Sequence, residues 1–232
     1  MLTEQEKIDT LTHLVIELNQ VQDLDILMEH ILRQARRFVN ADAGSIYIVE
    51  DRTLQFTYTQ NDTLQKRLEI GDKLIYSTFT LPINEQSIAG YTAETGQPLN
   101  IPDVYSIEPT EPYNFSKEFD KASKYKTQSV LAIPLKSARG NLLGILQIIN
   151  AQDVDQQIIP FSDKDEKMMM HFASIAAVAL ERAQMTRSMI LRMIRMAELR
   201  DPKETGPHVN RVASFAVELY EQWALKRSLP RS

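Results

Sequence analysis

Cysteine is absent, and this one fact excludes disulfides, thiolate metal sites, iron–sulfur clusters, cysteine nucleophiles and thioether attachment of a chromophore. Imidazole chemistry falls to four histidines, His13, His30, His171 and His208. One helical turn separates Glu204 from His208 in Glu204-Thr205-Gly206-Pro207-His208, a carboxylate and an imidazole of the kind that hold divalent metals. No His-Asp dyad follows. One imidazole and one carboxylate cannot hold a hydrolytic metal pair, so no catalytic residue is assigned within these residues and no bound metal is expected. The alternative for His208 is a surface histidine after a turn.

The bulk numbers narrow the class of partner. A chain of 232 residues holds one full domain with a substantial core and an appendage. A formal net charge of −5, with no concentrated basic face, argues against nucleic-acid and anionic-membrane binding. No apolar run approaches the length of a bilayer span, and the opening Met1-Leu2-Thr3-Glu4-Gln5 lacks the basic and apolar regions of a signal peptide. The expected location is cytoplasmic.

Periodicity supplies the elements that would position a site. Thr3 and Glu6 have the spacing of a capping box, followed by Ile8, Leu11, Val15 and Leu18 at helical intervals. Asp23 is a suitable N-cap for a second helix with the apolar stripe Leu24, Leu27, Met28, Ile31, Leu32, Ala35 and Phe38. Strands are predicted over 44–50, near 54–59, over 78–82, 99–101, 129–137 and 142–150. Arg139-Gly140-Asn141 would turn the last pair, and a short helix over 87–95 would stop at Gly96. Residues 102–126 read as loop. Such long connections either build a pocket or are decoration on an α+β domain.

Ser162 caps a last helix with Asp163, Asp165 and Glu166 in its first turn, where negative charge suits the helix dipole. The pattern runs to about Arg200, with Phe172, Ala176, Ala179, Ala183, Thr186, Ile190, Met193 and Ala197 forming a four-three seam. The first half is expected to pack on its own domain. Beyond Glu181 a dimeric coiled coil is favoured over continued packing on the same domain.

Three segments together resemble the GAF family, especially the type found in cyclic-nucleotide phosphodiesterases. They are Leu99-Asn100-Ile101-Pro102-Asp103, residues 115–134, and residues 144–150 followed by Phe161-Ser162-Asp163-Lys164-Asp165-Glu166. Asn150, Phe161, Asp165 and Glu166 match the family signature, whereas Ala151 stands where a Lys usually pairs with the signature Asp. The resemblance implies an α+β fold: a six-stranded antiparallel sheet with flanking helices, a pocket in front, and here a long C-terminal signalling helix. By position it places Ser45, Thr59, Gln60, Ile88, Ala89, Ser116, Asp120, Ser123, Thr127 and Gln147 at a ligand pocket. A helix N-terminus near Ile88, Ala89 and Gly90 would suit a phosphate. Gln147 both donates and accepts, so it could read adenine or guanine, and Ser123 and Thr127 could reach ribose or phosphate oxygens. The ligand class stays open among a purine cyclic nucleotide, another small ligand, and none. Haem is disfavoured, because no histidine falls in a pocket segment.

Residues 198–213, from Glu198 to Ala213, are similar to the opening of an HD-GYP domain, a family that hydrolyses cyclic di-GMP with two or three iron or manganese ions. The resemblance makes His208 an early metal ligand and Glu204 a carboxylate ligand. The organisation expected is a dimerisation helix over 1–22, a sensor domain over 23–185, and a linker helix with the start of an HD-GYP domain over 186–232. The function implied is the ligand-sensing regulatory half of a bacterial HD-GYP phosphodiesterase, homodimeric through its N- and C-terminal helices. The alternatives are a ligand-free dimerisation module and a degenerate non-catalytic regulator.

Overall fold

In the computed structural model, which describes residues 17–18, 21, 23–67, 79–200 and 211–220, the Asp23 carboxylate accepts from the N–H groups of Asp25 and Ile26, each at 3.0 Å. It thereby caps α1 (Leu24–Phe38), satisfying donors that the first helical turn leaves open. The apolar stripe of α1 buries Leu27, Met28, Ile31, Leu32, Ala35 and Phe38. Thr3, Glu6, Ile8, Leu11 and Val15 lie outside the described residues, as do Glu204, His208 and Trp223; Leu18 is buried.

The sheet contains β1 (Ala41–Glu50), β2 (Thr53–Asn61), β3 (Thr80–Pro82), β4 (Leu99–Ile101), β5 (Val130–Lys136), β6 (Leu142–Gln152) and β7 (Ile158–Ile159). Its order is β3-β2-β1-β6-β5-β4, with every neighbouring pair antiparallel. The six strands expected form this path. The two-residue β7 adds to β6 at Ala151 and Gln152, past the end of the β5 pairing at Ile149. Gly140, at φ 83°, turns β5 into β6. Between residues 39 and 200 the further α-helices are α2 (Asp62–Gln65), α3 (Ile88–Thr95), α4 (Glu118–Ser123) and α5 (Asp163–Arg200), with a 3-10 turn over Val104–Ser106. Ser87 Oγ caps α3 through Gly90 N–H, and Gly96 ends it at φ 61°. The short helices α2 and α4 carry too few residues for an apolar period, so they escape a periodicity reading.

Strand alternation divides the molecule into two cores. Ile46, Ile48, Leu131, Ile133, Leu135, Leu146 and Ile148 face α1 and the first half of α5. Tyr47, Leu54, Phe56, Val130, Ala132 and Ile145 face the other way, towards α3 and the 99–107 segment. Phe172 on α5 meets Phe38 on α1 with ring centroids 6.1 Å apart. Gly144 lies where a Cβ would come 2.2 Å from the Tyr47 carbonyl oxygen, so only glycine lets β6 approach β1 there.

The chain divides into two units, Met1–Ala183 and Gln184–Ser232. In the first, Ser162 Oγ accepts from Asp165 N–H at 3.1 Å while Ser162 N–H and Oγ donate to the Asp165 carboxylate. This reciprocal cap gives the signature Asp165 a role at a position where Ala151 replaces the family's lysine. Burial along α5 runs through Phe172, Ala176, Ala179 and Leu180 to Ala183. In the second unit Met189, Ile190, Leu191, Met193 and Ile194 are exposed; the side chain of Ala197 lies outside the described residues. A helix over 211–220 there exposes Phe215 and Leu219. Among the described residues no helix is long and apolar enough to cross a membrane.

Phe172→Ala should cost about 3–5 kcal/mol in urea unfolding, because it empties the contact between α1 and α5. Gly144→Ala should cost about 1–3 kcal/mol through backbone displacement alone. A Gly144→Ala midpoint equal to wild type would mean that the approach of β6 to Tyr47 carries no constraint.

Candidate ligand-binding site

The β1–β2 pairing contains a bulge between Ile46 and Tyr47, opposite Tyr58 and Phe56. One residue of β2 is thereby skipped, and the side-chain parity of the strand flips. Phe56 faces front before the bulge; after it Tyr58 packs behind the sheet and Thr59 faces front. Thr59 is then opposite Ser45, which on its other side is opposite Gln147. The Ser45 hydroxyl donates to Thr59 Oγ1 at 3.2 Å, and Thr59 Oγ1 donates to the Gly44 carbonyl at 2.9 Å. A row of three polar side chains thus crosses three strands as the floor of a cavity of about 490 Å³.

The walls are mainly apolar. Tyr47, Phe56, Phe79, Phe115, Phe119 and Tyr125 supply aromatic surface. Phe56 and Phe79 stack at 4.6 Å, and Tyr47 meets Phe56 edge-on at 5.4 Å. Ile88 and Ala89 form one wall at the start of α3. Ser87 Oγ already takes the Gly90 N–H, so among the described residues the N–H groups of Ile88 and Ala89 remain as the open donors of the first turn. Among the described residues no Lys, Arg or His lines this cavity. Any anion there would meet backbone N–H groups and the positive end of the helix dipole.

Among the described residues Asp120 is the carboxylate that lines the cavity. It is buried, and it accepts from Thr127 N–H at 2.7 Å, Thr127 Oγ1 at 2.8 Å and the Tyr105 hydroxyl at 2.8 Å. The hydrogen bond to Asp120 raises the pKa of Tyr105. Thr127 is positioned in turn by the signature Asn150, which is left-handed at φ 57° and only 1% exposed. Asn150 Oδ1 accepts from Gln128 N–H at 2.7 Å, and its Nδ2 donates to the Lys126 carbonyl at 2.8 Å and the Tyr125 hydroxyl at 2.9 Å. That hydroxyl donates to Asp42 Oδ2 at 2.8 Å. Burial, and then the Asp42 charge, push the Tyr125 pKa well above the usual tyrosine value; burial alone does the same for Tyr47.

Of the residues expected at the pocket, Ser45, Thr59, Ile88, Ala89, Ser116, Asp120, Thr127 and Gln147 line the cavity. Gln60 does not. As the neighbour of Thr59 on a strand it must face the opposite side, where its Oε1 accepts from Arg36 at 3.1 Å and its Nε2 donates to the Glu29 carbonyl. Ser123 is also elsewhere: its hydroxyl is exposed, donates to the Phe119 carbonyl at 2.7 Å and accepts from Tyr125 N–H. The turn that closes α4 consumes it. The aromatic walls and Tyr125 carry no motif that would have marked them; an aromatic count within 113–125 was the available signal.

Residues 23–180 match the family model of the GAF domain. The chain is 28% identical over 194 residues to the dual 3′,5′-cyclic-AMP and -GMP phosphodiesterase 11 of Drosophila melanogaster, covering 79% of this chain and 12% of that protein. It is also 28% identical over 189 residues to the dual 3′,5′-cyclic-AMP and -GMP phosphodiesterase 11A of Takifugu rubripes, covering 79% of this chain and 20% of that one. The chain therefore spans a fifth or less of the length of these relatives. The crystal structure of the GAF domain from an Acinetobacter phosphoenolpyruvate-protein phosphotransferase superposes with a TM-score of 0.57 at 16% identity, over 81% of this chain and 99% of that one, and shows the shared fold. With a sheet, a front cavity and a signature Asn that agree with the match over residues 23–180, the chain belongs to the GAF domain family, a family of ligand-binding regulatory modules.

Proposed function

We propose that the front cavity binds a purine cyclic nucleotide and that the chain is the sensing part of a signalling phosphodiesterase. The observation that carries the ligand reading is Gln147. It is 8% exposed and lines the cavity, and its side chain has no hydrogen-bond partner among the described residues. The amide is held at the cavity floor without a protein partner, so its donor and acceptor stay open to a ligand with matching polar edges. Gln147 offers both a donor and an acceptor to a base, the aromatic walls offer its faces a surface, and the start of α3 suits a phosphate. Similarity to parts of two cyclic-nucleotide phosphodiesterases points the same way.

The larger context of an HD-GYP phosphodiesterase rests on the similarity of residues 198–213. Glu204 and His208 do not fit a metal pair by themselves, so no catalytic step is assigned to them. Two or three iron or manganese ions would belong to the parent catalytic domain. The signal would pass along α5, with two chains paired in parallel through the exposed face that includes Met189, Ile190 and Met193. A lone helix leaves that apolar face in water, and pairing covers it.

Cyclic AMP or cyclic GMP at about one hundred times its dissociation constant should stabilise the domain by about 2.7 kcal/mol. Gln147→Leu should remove the thermal shift without lowering the melting point of the free protein, since it trades an unpartnered amide for an apolar group of similar size. No shift with either nucleotide at millimolar concentration would refute the ligand reading. Ile190→Glu places like charges at the seam and should convert a dimer into monomers in light scattering; a variant that stays dimeric, or a monomeric wild type, would remove the seam from the interface. The purified chain with added manganese or ferrous iron should not hydrolyse cyclic di-GMP, and turnover lost in His208→Ala would contradict the incomplete metal set.

A further inference from the structure

A second cavity, of about 630 Å³, lies at the C-terminal end of α1, where Arg33, Arg36 and Arg37 face β2, α2 and the end of β6. Its lining holds three guanidinium groups against two carboxylates, Glu29 and Asp62. Arginines in a last helical turn are commonly explained by the helix dipole. That explanation does not account for Arg36. Its side chain is 8% exposed, and its donors reach the Asp42 carbonyl, Gln60 Oε1 at 3.1 Å and Asp62 Oδ2, yet its buried Nε–H has no hydrogen-bond partner. The terminal nitrogens are engaged and the Nε–H is buried, so Arg36 serves the cavity as a fixed positive charge and not as a free hydrogen-bond donor.

The two neighbouring arginines are available. Arg33 pairs with Glu29 at 3.3 Å one helical turn away, with both side chains nearly half exposed. An exposed pair of that kind contributes at most about 1 kcal/mol and yields readily to a better acceptor. Glu29 also acts on the Tyr58 hydroxyl, whose pKa is pushed up to about 12 by burial and then by the Glu29 charge. Arg37 is exposed and has no acidic partner within salt-bridge distance among the described residues. Charge, fork geometry and concavity then agree: planar guanidinium groups match phosphate oxygens two at a time, and the cavity has the size of a small-molecule site rather than of a flat protein contact.

We propose that this cleft is a second ligand site, separate from the front cavity, that binds a small phosphomonoester through Arg33 and Arg37, with Arg36 as the fixed cation beneath them. Gln152 lines the same cleft and offers an amide to the remainder of the molecule, while Asn40 Nδ2 is already given to the Gln152 and Asp153 carbonyls.

Isothermal titration calorimetry at constant ionic strength tests it, with inorganic phosphate and AMP as probes. Wild type should show saturable one-site binding of both. The Arg33→Gln, Arg37→Gln double variant should bind at least about tenfold more weakly. Both positions are solvent-facing, and an unchanged thermal melt confirms that the variant is folded. Gln147→Leu, which alters only the front cavity, should bind both probes as wild type does. Absence of saturable heat up to about 10 mM would overturn the proposal. So would wild-type affinity in the double variant, or binding lost in Gln147→Leu and kept in the arginine variant, which would place the probes in the front cavity.

Discussion

Three hydrogen bonds from one buried side chain hold the binding face together. Asn150 ends the front-facing part of β6 in a left-handed conformation and satisfies Gln128 N–H, the Lys126 carbonyl and the Tyr125 hydroxyl at once. Segment 125–128 has no strand or helix of its own and would otherwise run past buried carbonyls without partners. Once it is anchored, Thr127 presents its N–H and hydroxyl to Asp120, and Asp120 fixes α4 over the cavity. Tyr125 meanwhile reaches Asp42, where β1 begins. The signature Asn is therefore a structural device: it holds the cavity's lid and one wall from a position outside the ligand space.

How much of this was legible in the chain follows from what periodicity can report. The strands were visible because β1, β5 and β6 alternate sides between two apolar cores, so their residues are apolar almost throughout and rich in Ile, Leu and Val. The capped ends were visible at Asp23, Gly96 and Ser162, which each do what their side chain or lack of one dictates, whereas Ser87, read as the first residue of its helix, is its N-cap. The bulge in β2 was not visible. It depends on which residue of β2 finds no partner in β1, a property of the pair rather than of either strand. Reading Thr59 and Gln60 together as pocket residues ignored that neighbours on a strand face opposite sides, and Gln60 is accordingly bound to Arg36 behind the sheet.

Ser123 failed for a different reason. The segment around it reads as polar loop, and in a loop a serine hydroxyl is free to face a ligand. Six residues there close into α4 instead, and a serine at the end of a helix bonds the carbonyl one turn earlier. Asp120 and Thr127 line the cavity because their mutual hydrogen bonds are short and buried and need no ligand to define them.

The two cavities differ in a way that bears on how one sheet can serve two ligands. Among the described residues the front cavity is lined by aromatic rings and no cation, and the rear cleft by guanidinium groups and amides. They are not independent bodies, because Thr59 and Asn61 of β2 line both. Arg36 donates to the Asp42 carbonyl, and the same residue's carboxylate accepts from Tyr125, whose ring lines the front cavity. A ligand that drew Arg36 towards the rear cleft would act on Asp42 through the backbone and on Tyr125 through the carboxylate. Occupancy of either cavity can then alter the affinity of the other only as far as this shared edge has two arrangements, and the magnitude must be the same in both directions.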